Sequence, residues 1–133
     1  MQSMREFSLQ NYTFEKLKNK KCYAFPESEK PMTQEQIDNI MKFIFMGHEN
    51  KMHRWKITAI GENTMLNGRF LFQTYEECFV FVSALYRLGV EQSYYPDITF
   101  GDGFVYVSLY TIKLHGLHEN DFIMMAKIEE MME

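Results

Sequence analysis

Two short runs, TQEQ at 33–36 and TYEE at 74–77, each pair a threonine with a side chain three residues on that can reach back to it. That reciprocal arrangement satisfies the first free amides of a helix, so it fixes where two helices begin. Behind Thr33, the residues Ile37, Ile40, Met41 and Ile44 fall on one helix face, and Gly47 offers a stop. Behind Thr74, Phe79, Val82 and Tyr86, supported by Cys78 and Leu85, predict the apolar stripe of a second helix ending at Gly89. Between the two lie alternating runs that predict strands. RWKITAI places Trp55, Ile57 and Ala59 on one side, and NGRFLFQ places Phe70 and Phe72 together, with GENT turning the chain between them.

The pattern then repeats. DITF predicts a short strand, GDG a tight turn, and FVYVSLYT a longer strand with Val105, Val107 and Leu109 on one face. Phe104, Tyr106 and Tyr110 fall on the other. A last helix from about Glu119 to Met132 carries Phe122, Met125 and Ile128, with His118 as its cap and Glu119 and Asp121 near its positive end. The order helix, strand, strand, helix, strand, strand, helix predicts an α+β domain over 32–133: a four-stranded antiparallel sheet with three helices packed on one face. Residues 1–31 form an N-terminal extension without periodicity, punctuated by Pro26 and Pro31. Its lysines, Lys16, Lys18, Lys20 and Lys21, are interspersed with Glu15 and predict a solvated arm lying on a neighbour or on the domain.

At 133 residues and 46% hydrophobic content the chain has the material for one core. A net charge of -4 argues against nucleic acid as a partner, because gripping phosphates requires a basic surface. Cys22 and Cys78 sit in no paired motif and predict free thiols in a reducing, intracellular compartment, the cytoplasm or an organelle such as the mitochondrion. The opening MQSMREFSLQ lacks the apolar core of a secretory signal, and no apolar run is long enough for a membrane span. Eleven methionines and twelve phenylalanines fit either an adaptable contact surface or a bias of composition.

Metal and nucleophile chemistry have little support. His115 and His118, like His48 and His53, form pairs without an evident third ligand, and no metal is expected. Ser83 and Ser108 sit in no elbow turn, and GDGF lacks the glycine spacing of a phosphate loop.

From about Met32 onward the chain resembles the pterin-4a-carbinolamine dehydratase family, whose members also serve as dimerisation cofactors of a homeodomain transcription factor. The resemblance is carried by the run from TYEECFVFV through SYYPDITF to HGLHENDF, by Pro96, and by the spacing from Pro96 to Asp121. It implies that paired histidines before the proline, and a third on the following strand, surround a pterin and move protons as its 4a-hydroxyl leaves. By position Tyr94, Tyr95 and Tyr106 stand in those places. Ser93 replaces an acid just before the pair, and Val90 replaces another, with Glu91 adjacent. An imidazole with a pKa of ~6.5 exchanges protons at neutral pH, whereas a phenol near ~10 donates a hydrogen bond and is a poor base.

The expectation is therefore a non-catalytic member of the family, without cofactor, acting as a protein-interaction module such as an accessory subunit or assembly factor. Its expected vestigial pocket comprises Tyr94, Tyr95, Pro96, Tyr106 and Glu91. The alternative is an active 4a-hydroxytetrahydrobiopterin dehydratase, a hydro-lyase working through Tyr94 and Glu91. A coactivator role rests on analogy alone, and the tyrosines have a plain reading as packing under a loop. The scaffold implies a homodimer through a continuous sheet, or a tetramer through helix packing. Stacking of tyrosine on a flat ring leaves weak pterin binding open.

Overall fold

The computed structural model describes residues 12–61 and 63–133; residues 1–11, with the opening MQSMREFSLQ, and Glu62 of the first turn lie outside the described residues. The helices are α1 (Phe14–Lys18), α2 (Gln34–Phe43), α3 (Glu49–Met52), α4 (Tyr75–Gln92) and α5 (Glu119–Met131). The strands are β1 (Trp55–Ile60), β2 (Asn63–Leu71), β3 (Asp97–Gly101) and β4 (Phe104–Leu109). They form one antiparallel sheet in the order β1-β2-β4-β3, with helices packed on one face. This is the α+β architecture that the order of elements predicts.

Both predicted capping boxes form. The Thr33 hydroxyl accepts from the Gln36 amide and the Thr74 hydroxyl from the Glu77 amide, while the Gln36 and Glu77 side chains accept from the cap amides in return. In α2, Ile37 and Ile40 are buried and Ile44 closes the helix, so α2 stops before Gly47, which instead turns the chain with φ +85°. Pairing of Trp55 with Gly68 sets the register of the first hairpin. A methyl group on Gly68 would meet the indole ring at 2.7 Å, so the glycine opens the space that Trp55 fills. Leu66 and Phe70 of β2 then join Val105, Val107 and Leu109 of β4 in the buried face.

In α4 the expected stripe is out of phase. Phe79 and Tyr86 are exposed, and the face toward the sheet is Cys78, Phe81 and Leu85, with Val82 half-buried beside them. Apolar residues occupy two helical rows of this segment, so periodicity alone does not choose between them; packing against Phe70 and Phe72 draws in Phe81. The helix also continues past Gly89 to Gln92, where Ser93, at φ 53°, provides the left-handed cap.

Buried residues run all round α5, from Asn120 to Ala126 and on to Ile128 and Glu129. The side away from the sheet is covered by α1, whose Phe14 and Leu17 are buried. This short helix was not legible: it offers a single apolar i, i+3 pair behind its Thr13 cap. The arm is fastened further by Lys18 to Glu130 (3.7 Å), by Lys20 to Glu119 (2.5 Å), and by Lys127 donating to the Lys18 carbonyl (2.8 Å). Two of the arm lysines are therefore ion-paired. Both cysteines are free, Cys78 buried and Cys22 half-buried.

Candidate functional site

The loop that follows α4 is shaped by a close backbone approach. The Tyr94 amide donates to the Gly89 carbonyl at 3.0 Å. A methyl group on Gly89 would lie 2.9 Å from the Tyr94 carbonyl oxygen and 3.3 Å from the Tyr95 ring. Gly89 therefore lets the Tyr94–Pro96 turn fold back on the helix. Gly89→Ala is expected to cost about 2 kcal/mol, measurable by denaturant unfolding, because backbone must shift to admit the methyl.

That turn sends the two phenols in different directions. Tyr95 is 68% exposed, while Tyr94 passes beneath and donates its hydroxyl to Asp121 Oδ1. The same carboxylate accepts from the Thr111 hydroxyl and from the His118 amide, each at 2.9 Å to Oδ2. Asp121 is fully buried in the first turn of α5. Burial raises its pKa, and the three hydrogen bonds oppose that rise. Burial, then the neighbouring Asp121 charge, drives the Tyr94 pKa strongly upward. Tyr94 thus holds its proton and uses it to tie the end of α4 to the start of α5.

His118 is the helix cap expected of it: Nδ1 accepts from the Asn120 amide at 3.1 Å. The hydrogen therefore resides on Nε2, which faces Glu29 at 3.1 Å. His115 contacts Asn63, and His48 packs on Phe14. Among the described residues no group of three or more His, Cys, Asp or Glu is placed to hold a metal.

A cavity of about 590 Å³ opens beside the turn. Its walls are the end of α4 with Tyr94 and Tyr95, the segment after β4 from Tyr110 to Lys113, and residues 21–25 of the arm. Glu91 lines it and is exposed, accepting from the Gln92 side chain at 3.3 Å. Pro96 lines a smaller neighbouring space with both tyrosines. Cys22 also lines the main cavity, but burial pushes its thiol up to about 11, so it is no nucleophile at neutral pH.

Tyr106 is not among the lining residues of either space. Because Val105 and Val107 face the core, strand alternation turns Tyr106 to the open side of the sheet. There its ring lies against Phe104 (4.8 Å) and under the Arg69 guanidinium (5.2 Å). Of the five expected pocket residues, Tyr94, Tyr95 and Glu91 share the main cavity, Pro96 adjoins it, and Tyr106 stands apart. Ile112, Lys113 and the arm residues were missed as lining. The role of Asp121 was partly visible in its place three residues after a helix cap.

The model of a family described as "Pterin 4 alpha carbinolamine dehydratase" matches residues 30–131. The chain belongs to the pterin-4a-carbinolamine dehydratase family. A Methylococcus capsulatus protein named "Putative pterin-4-alpha-carbinolamine dehydratase" is 30% identical over 112 residues, covering 84% of this chain and 90% of that one. A similarly named Cupriavidus pinatubonensis protein is 44% identical over 66 residues, 50% of this chain and 57% of its own length. The crystal structure of a Brucella melitensis protein described as a transcriptional coactivator/pterin dehydratase superposes with a TM-score of 0.57 at 15% identity, covering 76% of this chain and 97% of that one. At that identity the likeness establishes the fold. The family match begins at residue 30, so the arm residues that wall the cavity precede it.

Proposed function

We propose that this chain keeps the pterin-4a-carbinolamine dehydratase scaffold as a non-catalytic protein-interaction module, an accessory subunit or assembly factor of a larger complex. One observation carries the reading. At a position where the family resemblance implies a proton-transferring imidazole, Tyr94 is a phenol whose proton is committed to buried Asp121. The module works in a reducing compartment, in keeping with its two free thiols. Among the described residues no helix is long and apolar enough to cross a membrane.

The outward row of α4 supports contact with protein. Tyr75, Phe79, Tyr86 and Val90 fall on one side of the helix and are each about half exposed or more, with exposed Val80 farther round. An exposed row of large apolar side chains of this kind is a common mark of an interface. The strip and the β3 edge together suit self-association as a dimer or tetramer. Tyr86→Glu is expected to lower the mass measured by light scattering while leaving the circular dichroism spectrum unchanged. An unchanged mass would remove α4 from the assembly.

The direct assay adds 4a-hydroxytetrahydropterin and follows its dehydration with and without protein; no acceleration is expected. The second reading, an active hydro-lyase, draws on one observation, that Tyr94 and Glu91 line the same cavity. Acceleration that disappears in Tyr94→Phe would establish it. Co-purification from native extract tests the interaction reading, and a protein that always runs free of partners would refute it.

A further inference from the structure

The face of the sheet away from the helices carries a groove of its own, about 600 Å³, along β1 and β2. Arg54, Lys56 and Arg69 line it, and none of its described lining residues is a carboxylate. The chain as a whole carries a net charge of -4, so the groove stands out against an acidic molecule. Arg54 is already matched by Glu129. Lys56 and Arg69 are exposed, and neither is ion-paired among the described residues. Asp97 is the one acid among the strand residues of this face. It lies on β3, two strands from Asn67, and accepts from the Tyr110 hydroxyl at 2.7 Å.

Strand register sets the spacing of these groups. Lys56 stands opposite Asn67, and the Arg69 amide donates to the Arg54 carbonyl at 3.0 Å, so the ladder continues to Arg69. Lys56 and Arg69 are therefore diagonal neighbours on one face, about 7–8 Å apart. Leu71, 71% exposed, follows two residues along β2 on the same face. That step adds roughly 7 Å, the interval between side chains i, i+2 and i+4 of any extended segment. Two cations and an apolar side chain thus repeat at the pitch of a strand.

Little else on this face is free. Asn67 donates to Thr58 at 2.5 Å and accepts from Ser108 at 2.6 Å. The Tyr106 ring packs on Phe104 at 4.8 Å and lies under the Arg69 guanidinium at 5.2 Å, so it presents no open platform for a base. Single-stranded nucleic acid is held by such platforms and a longer run of cations. A peptide needs neither.

We propose that this groove docks an extended acidic segment of a protein partner, with carboxylates at alternate positions on Lys56 and Arg69 and a large apolar side chain against Leu71. The groove shares no lining residue with the cavity beside Tyr94, and α4 packs on the other side of the sheet. The inference therefore goes beyond the contact surface on α4 and does not depend on the loss of catalysis. Exposed charge pairs fix orientation and register, and the apolar contact adds area.

The test titrates the full chain with capped peptides and follows amide shifts in two-dimensional NMR spectra. The probe is Thr-Glu-Thr-Glu-Thr-Leu-Thr. Its controls are the same peptide with lysines for glutamates and the isomer Thr-Thr-Glu-Glu-Thr-Leu-Thr. The probe is expected to shift residues 54–58 and 67–71 and to bind roughly tenfold more tightly than the lysine peptide at low salt. Lys56→Ala and Arg69→Ala should each weaken it roughly threefold. Lys56→Glu combined with Arg69→Glu should reverse the preference and favour the lysine peptide. A misfolded variant gains no such affinity, and an unchanged circular dichroism spectrum is the control for folding.

Four results would overturn the assignment. The probe binds nowhere, or shifts α4 instead. The lysine peptide or the adjacent-glutamate isomer binds as tightly, and neither charge nor spacing is then read. An oligothymidylate occupies the groove more tightly than the probe, which gives the surface to nucleic acid. The mass by light scattering rises with concentration and Lys56→Ala abolishes the rise, which gives it to a second copy of this chain. None of these turns on dehydration or on Tyr86→Glu, so the groove and the proposed function fail separately.

Discussion

Asp121→Ala is expected to lower the unfolding free energy by about 3 kcal/mol, seen as a fall in midpoint of roughly 10 °C. The substitution deletes the shared acceptor of the Tyr94 hydroxyl, the Thr111 hydroxyl and the His118 amide. The Tyr94 hydroxyl can turn toward the Tyr110 carbonyl, already 3.4 Å away, but the other two donors are left unsatisfied. Tyr94→Phe, which removes one donor and leaves the carboxylate two, should cost only about 1 kcal/mol. If the two variants proved equally destabilising, the carboxylate would not be the hub of the loop. Asp121 also sets a pH dependence. Its folded pKa is raised above the unfolded value of about 4, so the native state binds the proton more tightly. Its contribution to stability is full below that value and is lost as pH rises through the folded pKa. Asp121→Asn should flatten that slope in urea titrations across the acidic range.

The second large effect lies at the other end of α5. Glu129 is fully buried and accepts from the Trp55 indole at 2.7 Å and from Arg54 at 2.5 Å. Glu129→Ala leaves a buried indole N–H without a partner and a largely covered guanidinium without its counter-charge, so it is expected to cost about 3–4 kcal/mol. Arg54→Ala together with Glu129→Ala should cost less than the sum of the two single changes, because the second removal no longer strands a charge. Additive losses in that cycle would mean that the pair is not coupled.

Sequence legibility followed how local each determinant is. Thr33 and Thr74 announced their helices because a capping box closes within four residues. Val105, Val107 and Leu109 were legible because strand alternation has only two phases. The phase of α4 was not, since Phe79–Tyr86 and Cys78–Leu85 are both apolar rows and only Phe70 and Phe72, supplied from β2 and its end, decide which is buried. The site shows the same division. That Tyr94 is no imidazole could be read directly, but its partner Asp121 lies 27 residues away. Tyr106 was grouped with the pair by position, although its strand parity turns it to the opposite face. The wall at 21–25 left no periodic trace, because it is held by backbone and amide contacts rather than by an apolar pattern.

The envelopment of α5 bears on how the protein is made. Its inner face needs β4, its outer face needs α1 from more than ninety residues earlier, and its first turn holds the loop after α4. A nascent chain halted before Glu119 has a sheet without its central pillar and an α1 with nothing to cover. Such a chain leaves Leu109, Val107 and Leu117, all buried in the complete fold, without the helix that covers them. The domain thus closes with a latch rather than a gradual build-up. The decisive long-range contacts arrive together, once α5 has left the ribosome, in one late and cooperative step.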